Sequence, residues 1–399
     1  MLKGSLHMKK TFGISVLSAM LILGQPIMAY ANTTDSKIVN FDDIGSIMAQ
    51  QNLQVGINQN DRLDSNVGLS LLKKNIRDMK NRIDDIASER SDLSGASDTP
   101  LIIALGAEKR ALLDNIKILE RNLEDMPTSV TSTDFAASLS DDTQTRLAEG
   151  AFIAHNKLAL AASDISIGIT TIQDQLVIMQ LREKLGVVSH TSVDDLQTKL
   201  TDMQTKLSST KLQQDASTRQ LKDLLNDQDD SLEIGSIPYT NDGLIGTDED
   251  VDLKKALENS YTINLQKEKI VILTSTLARA EKDHGLSSDE YKHANYDLSN
   301  ANIVLSQQKD KLNSDYASLI DDIAKKVSNL RLEEQKLADK KVALSDASIK
   351  MSLGVITRLD LDSARTDYQL QEDAVKTNQI DLFTAKNNFY WFLKGMPSA

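Results

Sequence analysis

The sequence contains no cysteine in 399 residues, so disulfides, thiolate metal sites, Fe–S clusters and cysteine nucleophiles are all excluded. Aromatic residues make up 4% of the chain, and Gly 17 with Pro 5 are too few to supply the turns and interface girdles of an all-β or membrane-barrel protein. Basic residues are also scarce relative to acidic ones, 45 against 58, for a formal charge of −13. A surface that binds phosphate backbones without regard to sequence is not expected, and nucleic acid is not an expected partner. Long uncharged apolar runs are missing beyond the N-terminus. The best, Ala151 to Ile169, holds His155, Lys157 and Asp164, so no transmembrane helix is expected there.

What is present at the N-terminus is a leader. Lys9 and Lys10 precede an apolar run from Phe12 to Leu23, and Ala29 and Ala31 stand in an A-x-A arrangement, which together read as a signal peptide over residues 1–31. Met8 is an alternative translation start that keeps Lys9, Lys10 and the apolar run. An uncleaved anchor is the alternative, but the run is short for a bilayer and Gln25-Pro26 interrupts it. Cleavage removes three lysines and no acids, which leaves 42 basic against 58 acidic groups in an exported, thiol-free product.

The rest of the chain is dominated by heptads. Leu69, Leu72, Ile76, Met79, Ile83 and Ile86 alternate spacings of three and four, the seam of a helix packed in coiled-coil fashion. Leu105, Leu112, Ile116, Leu119 and Leu123 repeat the pattern after a loop from Ser94 to Pro100, and Leu158, Ile165, Ile172 and Met179 repeat it again. Tyr291, Leu298, Leu305, Leu312 and Leu319 form a fourth series, and Tyr316, Ile323, Leu330, Leu337 and Leu344 a fifth, displaced from it by four residues. That displacement is a stutter, which locally unwinds a left-handed supercoil. With no proline from Ser287 to Lys350, the spacing predicts one helix of about 64 residues, roughly 95 Å long.

An internal repeat links the two halves. Leu185-Gly186-Val187-Val188-Ser189 matches Leu353-Gly354-Val355-Ile356-Thr357, and the helices that follow keep phase, Val193, Leu200, Leu207 and Leu221 corresponding to Leu361, Tyr368, Val375 and Phe389. The offset is a whole number of heptads. The chain therefore divides into a first helical repeat over 36–226, a polar linker over 227–250 carrying Gly235, Pro238, Gly243 and Gly246, and a second repeat over 251–395. Each repeat is read as a helix going out, a turn, a long helix returning, a glycine-centred turn and a closing helix. The fold class is all-α, built of long antiparallel coiled-coil hairpins.

Two tandem copies of this layout resemble the TolC-type outer-membrane efflux protein family. The match is carried most clearly by Leu353-Gly354-Val355-Ile356-Thr357-Arg358-Leu359-Asp360-Leu361-Asp362-Ser363-Ala364. The resemblance implies a trimeric conduit joined through a periplasmic adaptor to an inner-membrane exporter, in the periplasm, outer membrane or another part of the cell envelope, and no enzymatic activity. It also implies that the turns at Gly186, Val187, Ser189 and His190, and at Gly354, Val355, Thr357 and Arg358, lie together at the end of the bundle that meets the adaptor. Ordinary helix-to-helix connections are the plainer reading of the same residues.

One departure from the family bears on the outcome. Members carry a pair of membrane-spanning strands where each hairpin turns at its far end. Here Asp283-His284-Gly285-Leu286-Ser287-Ser288-Asp289-Glu290 leaves no room for strands, and the insertion from Ser91 to Gln144 is helical in period over Leu101 to Leu123 and short of aromatics over Thr128 to Asp142. No β-barrel is expected.

Other candidates carry less. Asp248, Asp250 and Asp252 alternate as in a calcium loop, but Leu253 stands where its glycine belongs and no Glu closes it, so solvated acids are the reading. His155, His190, His284 and His293 have no second ligand at metal spacing. Neither cofactor nor metal is expected. Tyr390-Trp391-Phe392 reads as core packing, and Ala294, Ala301, Gln308 and Asn378 as small or polar seam positions. No nucleophile elbow, Walker loop or dinucleotide fingerprint occurs. Two functions remain: an oligomeric envelope component of an export system, and an exported coiled-coil scaffold that transports nothing.

Overall fold

The computed structural model describes residues 38–93, 95, 98–227, 232–239 and 248–398. The expected leader over 1–31, the first residues of the first repeat, and Gly243 and Gly246 of the linker lie outside the described residues. Among those described there are eight α-helices: α1 Ile44–Gln51, α2 Leu53–Ser91, α3 Thr99–Lys184, α4 His190–Leu225, α5 Glu249–Asn259, α6 Tyr261–His284, α7 Asp289–Ser352 and α8 Arg358–Leu393. No helix among them is long and apolar enough to cross a membrane.

The heptad seams become the packed faces. Ile165, Ile172, Leu176, Val193 and Leu200 bury against one another between α3 and α4. Tyr316, Ile323 and Leu330 of α7 meet Val375, Phe389 and Phe392 of α8. The 64-residue span of α7 is the length expected from its uninterrupted pattern. Its N-terminus is set by Ser288, whose side chain accepts from the Tyr291 backbone N–H.

Leu312 and Tyr316, four residues apart and both buried, belong to the two heptad series that the stutter separates. Near its start α7 is accompanied by α6, where Gln266 Nε2 donates to the Ala301 carbonyl. Further along it is accompanied by α8, where Gln371 Nε2 donates to the Glu333 carbonyl and Lys340 pairs with Asp367. The stutter falls where one partner gives way to the other. A second apolar row is needed there because the helix must face α5 and α6 on one side and α8 on the other.

Helix α3 departs from expectation. Its heptads were read as two separate segments, yet the helix runs unbroken for 86 residues, about 130 Å at roughly 1.5 Å per residue, and passes through Pro127. Proline removes one backbone donor and crowds the preceding turn. Packing on two sides compensates: Arg62 of α2 binds Asp134 and Asp141, and Arg279 of α6 holds Asp125 in a bidentate pair at 2.7 Å. Toward its C-terminus the same helix takes α4 and α8 as partners. It is the spine on which both hairpins are mounted.

The two hairpins end at different heights. Tyr261 donates to Asp142, Arg279 to Asp125, and Arg121 pairs with Asp283, so α6 runs antiparallel to α3 in a steady register and stops beside Arg121. Helix α3 continues from there back to Thr99, with α2 as its companion. This overhang is 22 residues, about 33 Å, of two-helix coiled coil. Among the described residues, the short connections after Ser91 and after His284 carry no strand pair, in keeping with the expectation of no barrel.

One small sheet was not foreseen. Ile38–Val39 pairs in parallel with Glu233–Ile234 of the linker, and Val39, Leu232, Ile44, Met48, Phe152, Leu221 and Leu225 bury together around it. Helices α1 and α2 are separated at Asn52, which caps α2 by accepting from Val55 N and donates to the Leu224 carbonyl. Helices α5 and α6 are separated in the same manner at Ser260, which accepts from Ile263 N. These breaks let each hairpin change direction at the waist.

Candidate contact site at the hairpin turns

Both candidate turns are closed by the same device. At the end of α3, Val187 N–H donates to the Arg182 carbonyl at 2.9 Å and Gly186 N–H to the Glu183 carbonyl at 2.8 Å, with Gly186 at φ 72°. At the end of α7, Val355 N–H donates to Lys350 at 2.9 Å and Gly354 N–H to Met351 at 3.0 Å, with Gly354 at φ 70°. This is the Schellman arrangement, and its positive φ is what requires glycine. The closing helices then begin 168 positions apart, His190 against Arg358, and each is 36 residues long.

The candidate side chains sit around these glycines in the open. Val187 is 68% exposed and so is Val355; Leu185 and Leu353 beside them are 70% and 71% exposed. Thr357 forms a capping box, accepting from Asp360 N at 3.3 Å, while Asp360 Oδ2 accepts from the Thr357 hydroxyl at 2.7 Å and from Thr357 N at 2.8 Å, two bonds that hold the Asp360 carboxyl below its ordinary range. Ser189 makes no such bond to the backbone; its hydroxyl meets that of Ser192, which stands where the second repeat has Asp360.

His190 and Arg358 occupy equivalent places, each leaning on an acid one turn on. His190 Nδ1 lies 2.6 Å from Glu183 and Nε2 3.5 Å from Asp194, and these acids raise the imidazole above its ordinary range, the hydrogen bond to Glu183 first. Arg358 Nε lies 3.6 Å from Asp362. Both side chains are exposed.

Arg146 bonds Asn388, Lys157 bonds Asp381 and Ser163 bonds Asp373, so α3 and α8 are antiparallel in a fixed register. Continued along two straight helices, that register brings Lys184 level with about residue 352. Both turns therefore lie at the same end of the molecule. Among the described residues no hydrogen bond or ion pair joins one turn to the other; the polar contacts of each stay within its own hairpin.

The structure adds one feature to the candidate turns. Leu181, Leu185 and Val187 are exposed on the first hairpin, and Ile349, Leu353 and Val355 are exposed at the equivalent positions of the second. The signal for Leu181 and Ile349 was present in the sequence as a pair of apolar residues lying off the heptad seam at the repeat offset.

The remaining candidates fall elsewhere. Asp248 is the N-cap of α5, accepting from Val251 N at 3.2 Å, and Glu249, Asp250 and Asp252 fill its first turn, where the helix dipole favours acids. His155 meets Thr218 and Gln214, and His293 meets Asp297. Trp391 is buried in the core as expected, and its indole N–H donates to Glu149 at 2.6 Å.

No protein-family model matches the chain, and no curated protein matches it in sequence. Solved structures do match its fold. The Campylobacter jejuni CmeC outer membrane channel superposes with a TM-score of 0.63 over 93% of this chain and 91% of its own, at 9% identity. The open state of the Neisseria gonorrhoeae MtrE outer membrane channel gives a TM-score of 0.60 over 89% of each chain, at 10% identity. A membrane protein from Pseudomonas aeruginosa gives 0.59 over 90% of this chain and 92% of its own, also at 10% identity. At such identities the likeness is one of fold: this chain has the long-hairpin helical fold of TolC-type outer-membrane efflux channels, with no closed barrel among its described residues.

Proposed function

We propose that the chain is an exported component of an export system in the cell envelope, acting as an oligomer, a trimer by resemblance, in which hairpins of neighbouring copies pack side by side. The Gly186 and Gly354 turns press against an adaptor that leads to an inner-membrane exporter. The leader over 1–31, the two repeats over 36–226 and 251–395 and the linker over 227–250 are parts of this reading, and none of them is catalytic. The observation that carries it is the matched pair of exposed apolar triplets, Leu181, Leu185, Val187 and Ile349, Leu353, Val355, at one end of the molecule. Scattered exposed leucines need no explanation, but two sets in the same positions beside the same turn have the form of a repeated contact.

The test is photo-crosslinking in the producing cell, with a crosslinker placed in turn at Val187 and Val355. The expected result is one and the same heterologous protein captured at both positions, and its loss when His190 and Arg358 are changed together to Ala. Capture of nothing, or unaltered capture in the double variant, rejects the contact. A second reading, a scaffold without transport, draws support from the α2–α3 overhang, which puts helix where channel relatives put membrane strands. Capture of only the chain's own copies would favour it.

A further inference from the structure

At the waist, away from both turns, α3, α8, the start of α1 and the short 3-10 helix Phe41–Asp43 line a half-open cavity of about 350 Å³. Its walls are Phe41, Tyr390 and Trp391, with Thr145, Asn387 and Asp42 between them. At one side stands Glu149, a carboxylate only 7% exposed. Taking a carboxylate out of water is costly unless its oxygens are met by donors or cations. Glu149 Oε2 is met twice, by Asn387 Nδ2 at 2.6 Å and Trp391 Nε1 at 2.6 Å. Oε1 receives no hydrogen bond, and it is not sealed from solvent in the way that Asp164 Oδ1 and Gln308 Oε1 are. One oxygen of this buried group is left without a hydrogen bond, with the Lys394 and Arg146 charges acting on the carboxylate from nearby.

The surroundings state what kind of group that oxygen suits. Arg146, one turn before Glu149, is engaged with the Pro397 carbonyl and Asn388 and forms no ion pair with it. Lys394 forms none either. Its ammonium instead rests over the aromatic wall, 4.6 Å from the Trp391 ring centre and 5.2 Å from that of Tyr390. A cation on aromatic faces beside an unfilled carboxylate oxygen is the arrangement that recognises alkylammonium groups. The chain's own lysine demonstrates that the wall accepts one.

We propose that this cavity is a binding site for a small organic cation, an amine or quaternary ammonium whose head lies between Glu149 Oε1 and the rings of Phe41, Tyr390 and Trp391, with Lys394 as the internal competitor it displaces. The proposal does not depend on the adaptor contact and stands or falls separately from it. Nothing else in the chain would confuse the readout, because Trp391 is the only tryptophan.

The experiment is titration of the protein with tetramethylammonium chloride, read by Trp391 fluorescence against sodium chloride at equal ionic strength. Saturable binding in the millimolar range is expected, of a size that a few cation–π contacts and one carboxylate provide, about tenfold weaker in Glu149→Gln. Gln keeps an acceptor for Trp391 and Asn387, so the fold is retained, which far-UV circular dichroism checks. Lys394→Gln removes the competitor and should bind several-fold more tightly. A response no different from sodium chloride in both the parent and Lys394→Gln overturns the proposal, as does affinity unchanged by Glu149→Gln.

Discussion

The two ends of the molecule are built by opposite rules. At the end carrying Gly186 and Gly354, the repeats finish alike, with the same Schellman bonds, φ values within a few degrees and the same apolar residues in the open. At the other end α6 and α7 turn at Gly285, while α2 and α3 run on for about 33 Å before Leu93. A turn that must meet something outside the chain is constrained in both copies at once. A turn that meets nothing in common is free to drift. The equal end is therefore where the proposed contact is sought, and the unequal end is where the two repeats of this chain differ most.

The largest way to break the comparison is at the waist between the ends. Gly395 lies at φ 99° with the Asn259 carbonyl so close that a Cβ would come within 2.1 Å of its oxygen. Tyr261 N–H donates to the Gly395 carbonyl there, and Asn259 donates to Leu393. Gly395→Ala should cost about 3 kcal/mol or more in denaturant unfolding, because backbone must move rather than a side chain.

Next come two buried isoleucines, one on each side of the contrast. Ile323→Ala, in the cluster joining α7 and α8, should lower global stability by about 2–5 kcal/mol. Ile86→Ala removes an equally buried group from the overhang, where only two helices pack. Its effect should be local: hydrogen exchange speeds over 72–91 and 99–117 while the main unfolding transition moves little.

The equal end gives smaller effects that sharpen the comparison. Gly186→Ala and Gly354→Ala meet open space, so only the backbone conformation resists, and both should cost about 1 kcal/mol. Their caps should differ. Thr357→Ala loses a capping box worth about 1 kcal/mol, whereas Ser189→Ala loses no backbone bond and should cost a few tenths.

The smallest is electrostatic. His190 is raised by Glu183 and Asp194, so its favourable pairing is complete below the ordinary imidazole range and is lost as pH rises through its folded value. Imidazole titration by NMR should show this upward shift, and Glu183→Gln should remove most of it.

Much of this was legible in the sequence because coiled coils write their packing in the spacing of side chains. Tyr316, Ile323 and Leu330 had only one way to face a partner, and Gly186 and Gly354 marked turns because glycine adopts their positive φ at least cost. What was not legible depends on distance along the chain. The passage of α3 through Pro127 is stabilised by Arg62 and by Arg279, a residue more than 150 positions away. The Ile38–Val39 strand exists only because Glu233–Ile234 lies beside it, and two residues carry no periodicity. Trp391 was rightly placed in the core, but its bond to Glu149 joins two helices whose register no local pattern gives. The two glycine turns are legible by repetition, and Leu181 and Ile349 are not, because a heptad reading looks only along the seam.

We propose that these hairpins, which carry no membrane strands among the described residues, assemble side by side into an elongated oligomer. Light scattering with small-angle X-ray scattering on the exported chain, without detergent, tests it most directly. The account predicts a uniform oligomer with a longest dimension of about 130 Å or more, set by α3. A monomer of that length, or a particle that forms only in detergent, would contradict it.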